Sequence, residues 1–179
     1  MREALIALNR LVTDGVVSRY AIGGAIGASF YIEAQATEDL DVFVIMAPSE
    51  AGLLSLSPIY DALRAMGGVP EDEHIRVGGW KVQILPAYKP LVEEALARSI
   101  EVQFEDVPTR VLTAEHLCAI NLDTARPKDF YRVSLFIDER AVDLATLRSL
   151  LKRYGLEDRT AKVLNWPHDD ALGPDQGSA

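Results

Sequence analysis

The sequence is poor in the residues that build disulfide-bonded, zinc-binding or membrane-spanning proteins. Its 179 residues include one cysteine, Cys118, so no internal disulfide can form. The three histidines are scattered and make no H-x-x-x-H or Cys/His cluster that would suggest zinc. No apolar run reaches the roughly 20 residues that a membrane span needs, and the first residues do not resemble a secretion signal. We therefore expect a cytoplasmic protein that does not contact a membrane.

The short signatures of several large enzyme classes are also missing. The chain has neither the G-x-G-x-x-G of dinucleotide-binding proteins nor the G-x-x-x-x-G-K-[ST] of P-loop proteins. It also lacks the G-x-S-x-G of hydrolases with a serine nucleophile. These absences argue against all three classes.

The chain has no excess of basic residues. Its formal net charge is −9, which disfavours non-specific binding to nucleic acid. The charge is uneven, because residues 1–109 carry 8 basic and 16 acidic side chains whereas residues 110–166 carry 10 and 8. Two interpretations remain open for residues 110–166, a surface that faces a polyanion locally and an ordinary mixed solvated surface.

Hydrophobic residues make up 49% of the chain, and their spacing predicts an α+β protein of one domain, or of a core with a helical appendage. We expect a core over residues 1–112, a helical C-terminal segment over 113–166 packed on it, and a disordered tail over 167–179. The predicted strands are 16–22, 40–46, 74–77, 80–85, 100–104 and 109–112. The predicted helices are 3–12, 25–33, 59–66, 91–97, one that starts at 113, 127–138, 143–154 and 157–166.

The stretch 20–46 carries the clearest chemical pattern. A predicted strand ends at Gly23-Gly24, a short helix follows, and a second strand opens with Asp39 and Asp41. Residues two apart in a strand point to the same face, so the two carboxylates project together. Side-by-side carboxylates repel unless a cation lies between them, and oxygen ligands of this kind suit Mg²⁺ or Mn²⁺. The glycine pair falls where backbone N–H groups at a helix start can hold phosphates.

Each half of this pattern also has a simpler interpretation. A Gly-Gly pair can be a tight turn without a ligand, and a D-x-D can be a solvated strand end. The order strand, Gly-Gly, helix, T-x-D-x-D, strand satisfies the needs of a nucleotide and of a metal together. We therefore favour nucleotide chemistry.

Gly-Gly, a helix with Tyr31 near its end, and the run from Thr37 to Asp41 resemble the signature of the nucleotidyltransferase superfamily. The pattern is most similar to the minimal nucleotidyltransferases and to the AbiEii-type toxins of toxin–antitoxin systems. The resemblance implies the nucleotidyltransferase fold, which is a mixed, twisted β-sheet flanked by helices. It also implies transfer of a nucleoside monophosphate from an NTP to a hydroxyl on tRNA, on a protein or on a small molecule, with Mg²⁺ or Mn²⁺ as cofactor. A cognate antitoxin would then be a partner. By the same resemblance, Asp39 and Asp41 bind the metal, and Gly23, Gly24 and Thr37 border the nucleotide.

The family's third carboxylate belongs on the strand 80–85, where this chain has Gln83. Glutamine offers a neutral oxygen and cannot accept a proton. Three hypotheses follow. The enzyme uses one metal with Gln83 as a positioning ligand; the acidic run Glu71-Asp72-Glu73 supplies the missing acid; or the protein is a degenerate member that binds nucleotide or a partner without turnover.

A second resemblance lies in the run 124–129, TARPKD, which is similar to the R-x-K/R-D element of AbiEii-like proteins. It implies that Lys128 meets phosphate and that Asp129 positions Lys128 or accepts a proton. An ordinary helix start, with Pro127 at the first position and an acid in the first turn, explains the same residues without an active site.

Overall fold

The computed structural model describes residues 1–46 and 55–160. The helices are α1 (Arg2–Thr13), α2 (Gly24–Ala28), α3 (Ser57–Ala65), α4 (Pro90–Ala97), α5 (Ala114–Thr124), α6 (Pro127–Asp138), α7 (Leu144–Arg153) and α8 (Glu157–Thr160). The strands are β1 (Val17–Ile22), β2 (Asp39–Met46), β3 (Val69–Glu71), β4 (His74–Val77), β5 (Trp80–Pro86), β6 (Ile100–Phe104) and β7 (Val107–Val111).

The strands form one seven-stranded sheet in the order β3-β4-β5-β2-β1-β7-β6. The central strand β2 runs antiparallel to β1 and parallel to β5, and β1 runs parallel to β7. The sheet is therefore mixed, and helices cover both of its faces. This confirms the α+β class predicted from the sequence.

Two separate apolar cores lie on the two faces of the sheet. Leu40 and Val42 of β2 point into a core shared with α1 and α3. Phe43, which alternates with them, points into a core shared with α4, α5, α6 and α7. Because side chains alternate along a strand, Asp39 and Asp41 share the Phe43 face and lie on the side of α5 and α6.

The helix predicted over 25–33 is shorter than expected and ends at Ala28. Its predicted C-terminal half turns away because two of its side chains are anchored elsewhere. The Tyr31 hydroxyl donates to the carbonyl of Leu112 at 2.9 Å, and Ile32 is buried in the core of the α5 side. These distant contacts override the local helical spacing.

The edge strand β3 was not predicted. It pairs with β4 through a tight turn at Asp72 and Glu73, and Asp72 takes a positive φ of 51°. The acidic run 71–73 therefore belongs to a hairpin. Of the helix predicted over 157–166, the structure describes α8 up to Thr160; the remainder and the predicted tail 167–179 lie outside the described residues. Within residues 1–46 and 55–160, no helix combines the length and apolarity that crossing a membrane requires.

Candidate functional site

The glycine bend after β1 lies directly against Asp41. The Gly23 N–H donates to the Asp41 carbonyl at 2.9 Å. Gly24 takes φ +56°, and a Cβ at this position would lie 2.7 Å from Cγ of Asp41 and overlap its carboxylate. A side chain at position 24 is therefore disfavoured twice, by the strained backbone conformation and by overlap with the carboxylate. The helix α2 that follows has only five residues and therefore lacks the dipole of a long helix. A ligand at this bend would depend on close approach to the backbone.

Asp39 and Asp41 open β2 on one face of the sheet. Asp39 is exposed and Asp41 is half-buried. Burial raises the pKa of the Asp41 carboxyl, and the negative charge of Asp39 raises it further. Arg132, Lys128 and Arg126 oppose this rise. The site therefore contains two mutually repelling carboxylates with three basic side chains within electrostatic reach.

Gln83 occupies the matching position on the neighbouring strand. It is the register partner of Asp41 in the parallel β2–β5 pair, so both side chains leave the same face. Among residues 1–46 and 55–160, no three His, Cys, Asp or Glu side chains are grouped so as to hold a metal. The groups on this face that could bind a cation are therefore two carboxylates and one amide oxygen, which are of the kind that Mg²⁺ or Mn²⁺ prefers and zinc does not.

The acidic run 71–73 does not supply a third carboxylate. Glu71 lies on the edge strand, three strand spacings or roughly 14 Å from β2. Its carboxylate accepts from Arg76 at 2.7 and 3.0 Å and pairs with Lys81 at 3.0 Å. These cations lower the pKa of Glu71 to about 2. Glu71 thus joins β3, β4 and β5, and its hydrogen-bonding capacity is taken up by that role.

At the start of α6, Asp129 contacts Arg126 and not Lys128, which corrects the positioning role expected for it. The Asp129 side chain is fully buried and accepts from Arg126 Nε at 2.6 Å, Nη2 at 3.1 Å and the backbone N–H at 3.3 Å. The bond from the Arg126 backbone N–H makes the Asp129 carboxylate a cap for the N-terminus of α6. Lys128 is exposed, and in the part of the chain that the structure describes it has no ion-pair partner. Asp129 is thus a buried anchor for a guanidinium, and a proton-acceptor role does not fit it.

Two residues near the carboxylates, Arg132 and Gln35, were not predicted from the sequence. Arg132 is 8% exposed, its Nε donates to Oε1 of Gln35 at 3.2 Å, and its Nη1 lies 4.0 Å from Oδ1 of Asp129. The contact fastens α6 to the segment that leads into β2. A helical spacing of four from Lys128 was the available signal, since it places Arg132 on the same side of α6.

Thr37 shapes the entry to β2. Its hydroxyl accepts from the Asp39 N–H at 3.1 Å and lies 3.4 Å from the Asp39 carbonyl. This local turn fixes the direction of the chain at Asp39, the first residue of β2. The structure therefore gives Thr37 a role next to the carboxylates.

No family model matches the chain, and neither does any curated protein. Several solved structures match the chain in fold. The solution structure of the antibiotic-resistance factor ANT(2'')-Ia aligns with a TM-score of 0.52 at 16% identity, over 90% of this chain and 94% of that one. The crystal structure of ANT(2'')-Ia with adenylyl-2''-tobramycin gives 0.54 at 15%, over 89% and 98%. An antigenic nucleotidyltransferase-like protein from Paracoccidioides brasiliensis gives 0.55 at 12%, over 88% and 89%. The chain therefore has the nucleotidyltransferase fold that the Gly-Gly and D-x-D pattern predicted.

Proposed function

We propose that this protein is a nucleotidyltransferase that moves a nucleoside monophosphate from an NTP to a hydroxyl group. The observation that carries the proposal is the contact between Gly24 and Asp41. It brings the bend after β1 against a pair of carboxylates that share one face of the sheet. Three basic side chains act on the same carboxylate from α6 and the residue before it. A triphosphate and a cation require these groups together.

Each residue has a role in this proposal. Asp39 and Asp41, with the amide oxygen of Gln83, hold Mg²⁺ or Mn²⁺, which when bound offsets the charge of the triphosphate. The Gly23-Gly24 bend lets the phosphates approach the backbone, Thr37 keeps Asp39 in place, and Lys128 adds a point charge. The acceptor oxygen forms a bond to the α-phosphorus, the bond from that phosphorus to pyrophosphate breaks, and the hydroxyl proton passes to solvent because Gln83 cannot accept it.

The acceptor is proposed to be a small molecule with a free hydroxyl. One structural neighbour of similar length carries adenylyl-2''-tobramycin, a nucleotidylated small molecule. The net charge of −9 disfavours a large polyanion. The resemblance to AbiEii-type toxins supports tRNA or protein as acceptor instead, with a cognate antitoxin as partner. The experiment below therefore includes tRNA and protein as alternative acceptors.

The experiment incubates the protein with Mg²⁺ and each of the four α-³²P-labelled NTPs. Parallel reactions contain tobramycin with a panel of polyhydroxylated small molecules, total tRNA, or a protein extract. We expect label on one acceptor class and none with Asp39→Asn or Asp41→Asn. Glu38→Gln, an exposed neighbour outside the strand, is the matched control and keeps activity. Label transfer that is equal in wild type and both Asn variants would refute the proposal.

The position of Gln83 favours a second candidate, a degenerate protein that binds nucleotide without turnover. The residue opposite Asp41 offers no charge, which weakens a second metal site in particular. This candidate predicts a thermal shift with ATP and Mg²⁺ and no label transfer to any acceptor. Binding with transfer excludes it.

A further inference from the structure

The guanidinium of Arg132 has unused hydrogen-bond donors beside the proposed site. A guanidinium carries five N–H donors. One bonds Gln35 at 3.2 Å, and the 4.0 Å between Nη1 and Asp129 is too long for a hydrogen bond. Within the described residues, the fully enclosed side-chain polar atoms without a partner belong to His116 and Asn121. The remaining donors of Arg132 are therefore not completely enclosed, although the residue is only 8% exposed.

Arg126 differs from Arg132 in this respect. Its Nε and Nη2 are both bonded to Asp129, and its side chain is 55% exposed. Asp129 thus directs its two oxygens at Arg126 and leaves Arg132 only a longer-range attraction. Of these two guanidinium groups, Arg132 is the one with donors to offer and little water around it.

A largely buried cation with few acceptors is costly unless an anion joins it. Burial lowers the pKa of Arg132, while Asp129 and Asp41 favour its charged form. A planar fork of donors matches a phosphate group, and charge-assisted bonds of this type are among the strongest in proteins. Lys128, one helical turn earlier, lies on the same side of α6.

We propose that Arg132 binds the phosphate chain of the nucleotide next to Asp41. This inference rests on the proposed function and adds a substrate-contacting residue to it. The opposing explanation is that Arg132 is only a strut, which fastens the segment before β2 to α6 through Gln35. The two explanations differ in their prediction for phosphate binding, because a residue with a purely structural role does not bind phosphate.

The test measures binding of ATP, inorganic triphosphate and adenosine in the presence of Mg²⁺ by calorimetric titration, with weak ligands measured by competition. We expect Arg132→Met to weaken ATP and triphosphate about tenfold or more, as for loss of a charge-assisted bond, and to leave adenosine unchanged. Arg132→Lys, which keeps the charge, is expected to bind ATP with an affinity between those of the wild type and Arg132→Met. Gln35→Ala removes the strut contact and keeps the affinity for ATP within about threefold. Arg140→Met, an exposed arginine beyond the end of α6, is the matched control and changes nothing.

Three outcomes overturn the inference. Wild-type affinity for ATP in Arg132→Met refutes it and leaves the proposed function intact. Equal losses for ATP and adenosine, reproduced by Gln35→Ala, assign Arg132 to the strut role. If the wild type binds neither ATP nor the other three NTPs, which are titrated in the same way, the proposed function is refuted and this inference with it. If Arg132→Met does not fold, the same comparison made with Arg132→Lys decides.

Discussion

The carboxylate of Asp41 occupies the space that a side chain at residue 24 would need. A Cβ on Gly24 would lie 2.7 Å from Cγ of Asp41, and the residue has φ +56°. The sheet thus brings a glycine and an acid, which are 17 positions apart in the sequence, into direct contact. The shape of the site depends on that contact.

We expect Gly24→Ala to abolish nucleotide binding and to destabilise the fold, because the methyl group displaces Asp41. Gly15→Ala is the matched control, since Gly15 has φ +72° and nothing within 4 Å of its Cβ position. The control measures left-handed strain alone, about 1–2 kcal/mol in the free energy of unfolding. Urea denaturation and ATP titration check both variants. Equal effects of the two substitutions would contradict the proposed overlap.

Restoring the third carboxylate at Gln83 is expected to increase turnover. Gln83→Asp adds a proton acceptor opposite Asp41, a change that contributes on the order of 10²-fold where general-base catalysis is missing. Without Mg²⁺ the same variant is less stable than wild type, because a third negative charge joins two others. Initial rates and melting temperatures with Mg²⁺ or EDTA measure both effects. Gln103→Asp, on the exposed edge strand β6, controls for the added charge; if it raises the rate as much, the effect does not come from the site.

Removing one partner of the Arg126–Asp129 pair is expected to cost more than removing both. Arg126→Met leaves the fully buried Asp129 carboxylate with Arg132 at 4.0 Å as its remaining cation. Because Asp129 is buried but Arg126 is 55% exposed, we expect the cost of an unpartnered buried acceptor, about 1–3 kcal/mol, rather than that of a fully buried ion pair. Asp129→Asn in the Arg126→Met background recovers part of this loss, because the buried charge is gone. A double-mutant cycle by urea denaturation measures the coupling. Strictly additive effects would show that the pair is not coupled.

Glu71 gives a pH-dependent contribution to stability. Its folded-state pKa of about 2 lies below its ordinary value of 4.5, because Arg76 and Lys81 favour the ionised form. The contribution is therefore complete above about pH 4.5 and is lost progressively as the pH falls towards 2. We expect Glu71→Gln to lower the free energy of unfolding at pH 6 and to lower it less at pH 3. Denaturation curves at both pH values test this; a difference that stays the same at pH 3 rules out the ion pairs as its cause.

Much of the site could be predicted because it depends on short-range periodicity. The alternation of Leu40, Val42 and Val44 with polar or aromatic neighbours places Asp39 and Asp41 on one face whatever the strand packs against. The Gly-Gly pair likewise marks a bend in any context. Gln83 was expected opposite the acids, and it is the register partner of Asp41.

The partners of the basic residues could not be predicted in the same way. Three cations, Arg126, Lys128 and Arg132, flank Asp129 within three positions, and the local pattern does not distinguish them. The packing of α6 selects Arg126 for hydrogen bonds to Asp129. It also brings Arg132 to Gln35, which lies 97 positions earlier in the chain.

The sequence by itself therefore determined the strand that carries the acids and the face they share, because those properties follow from side-chain alternation, whereas the type of fold was predicted from the resemblance of the motif. Tertiary structure alone decided where α2 stops, that Glu71 serves the sheet edge, and which guanidinium keeps free donors. Each of those outcomes depends on contacts between distant segments, and the energy of such contacts is set by packing and burial rather than by the order of neighbouring residues.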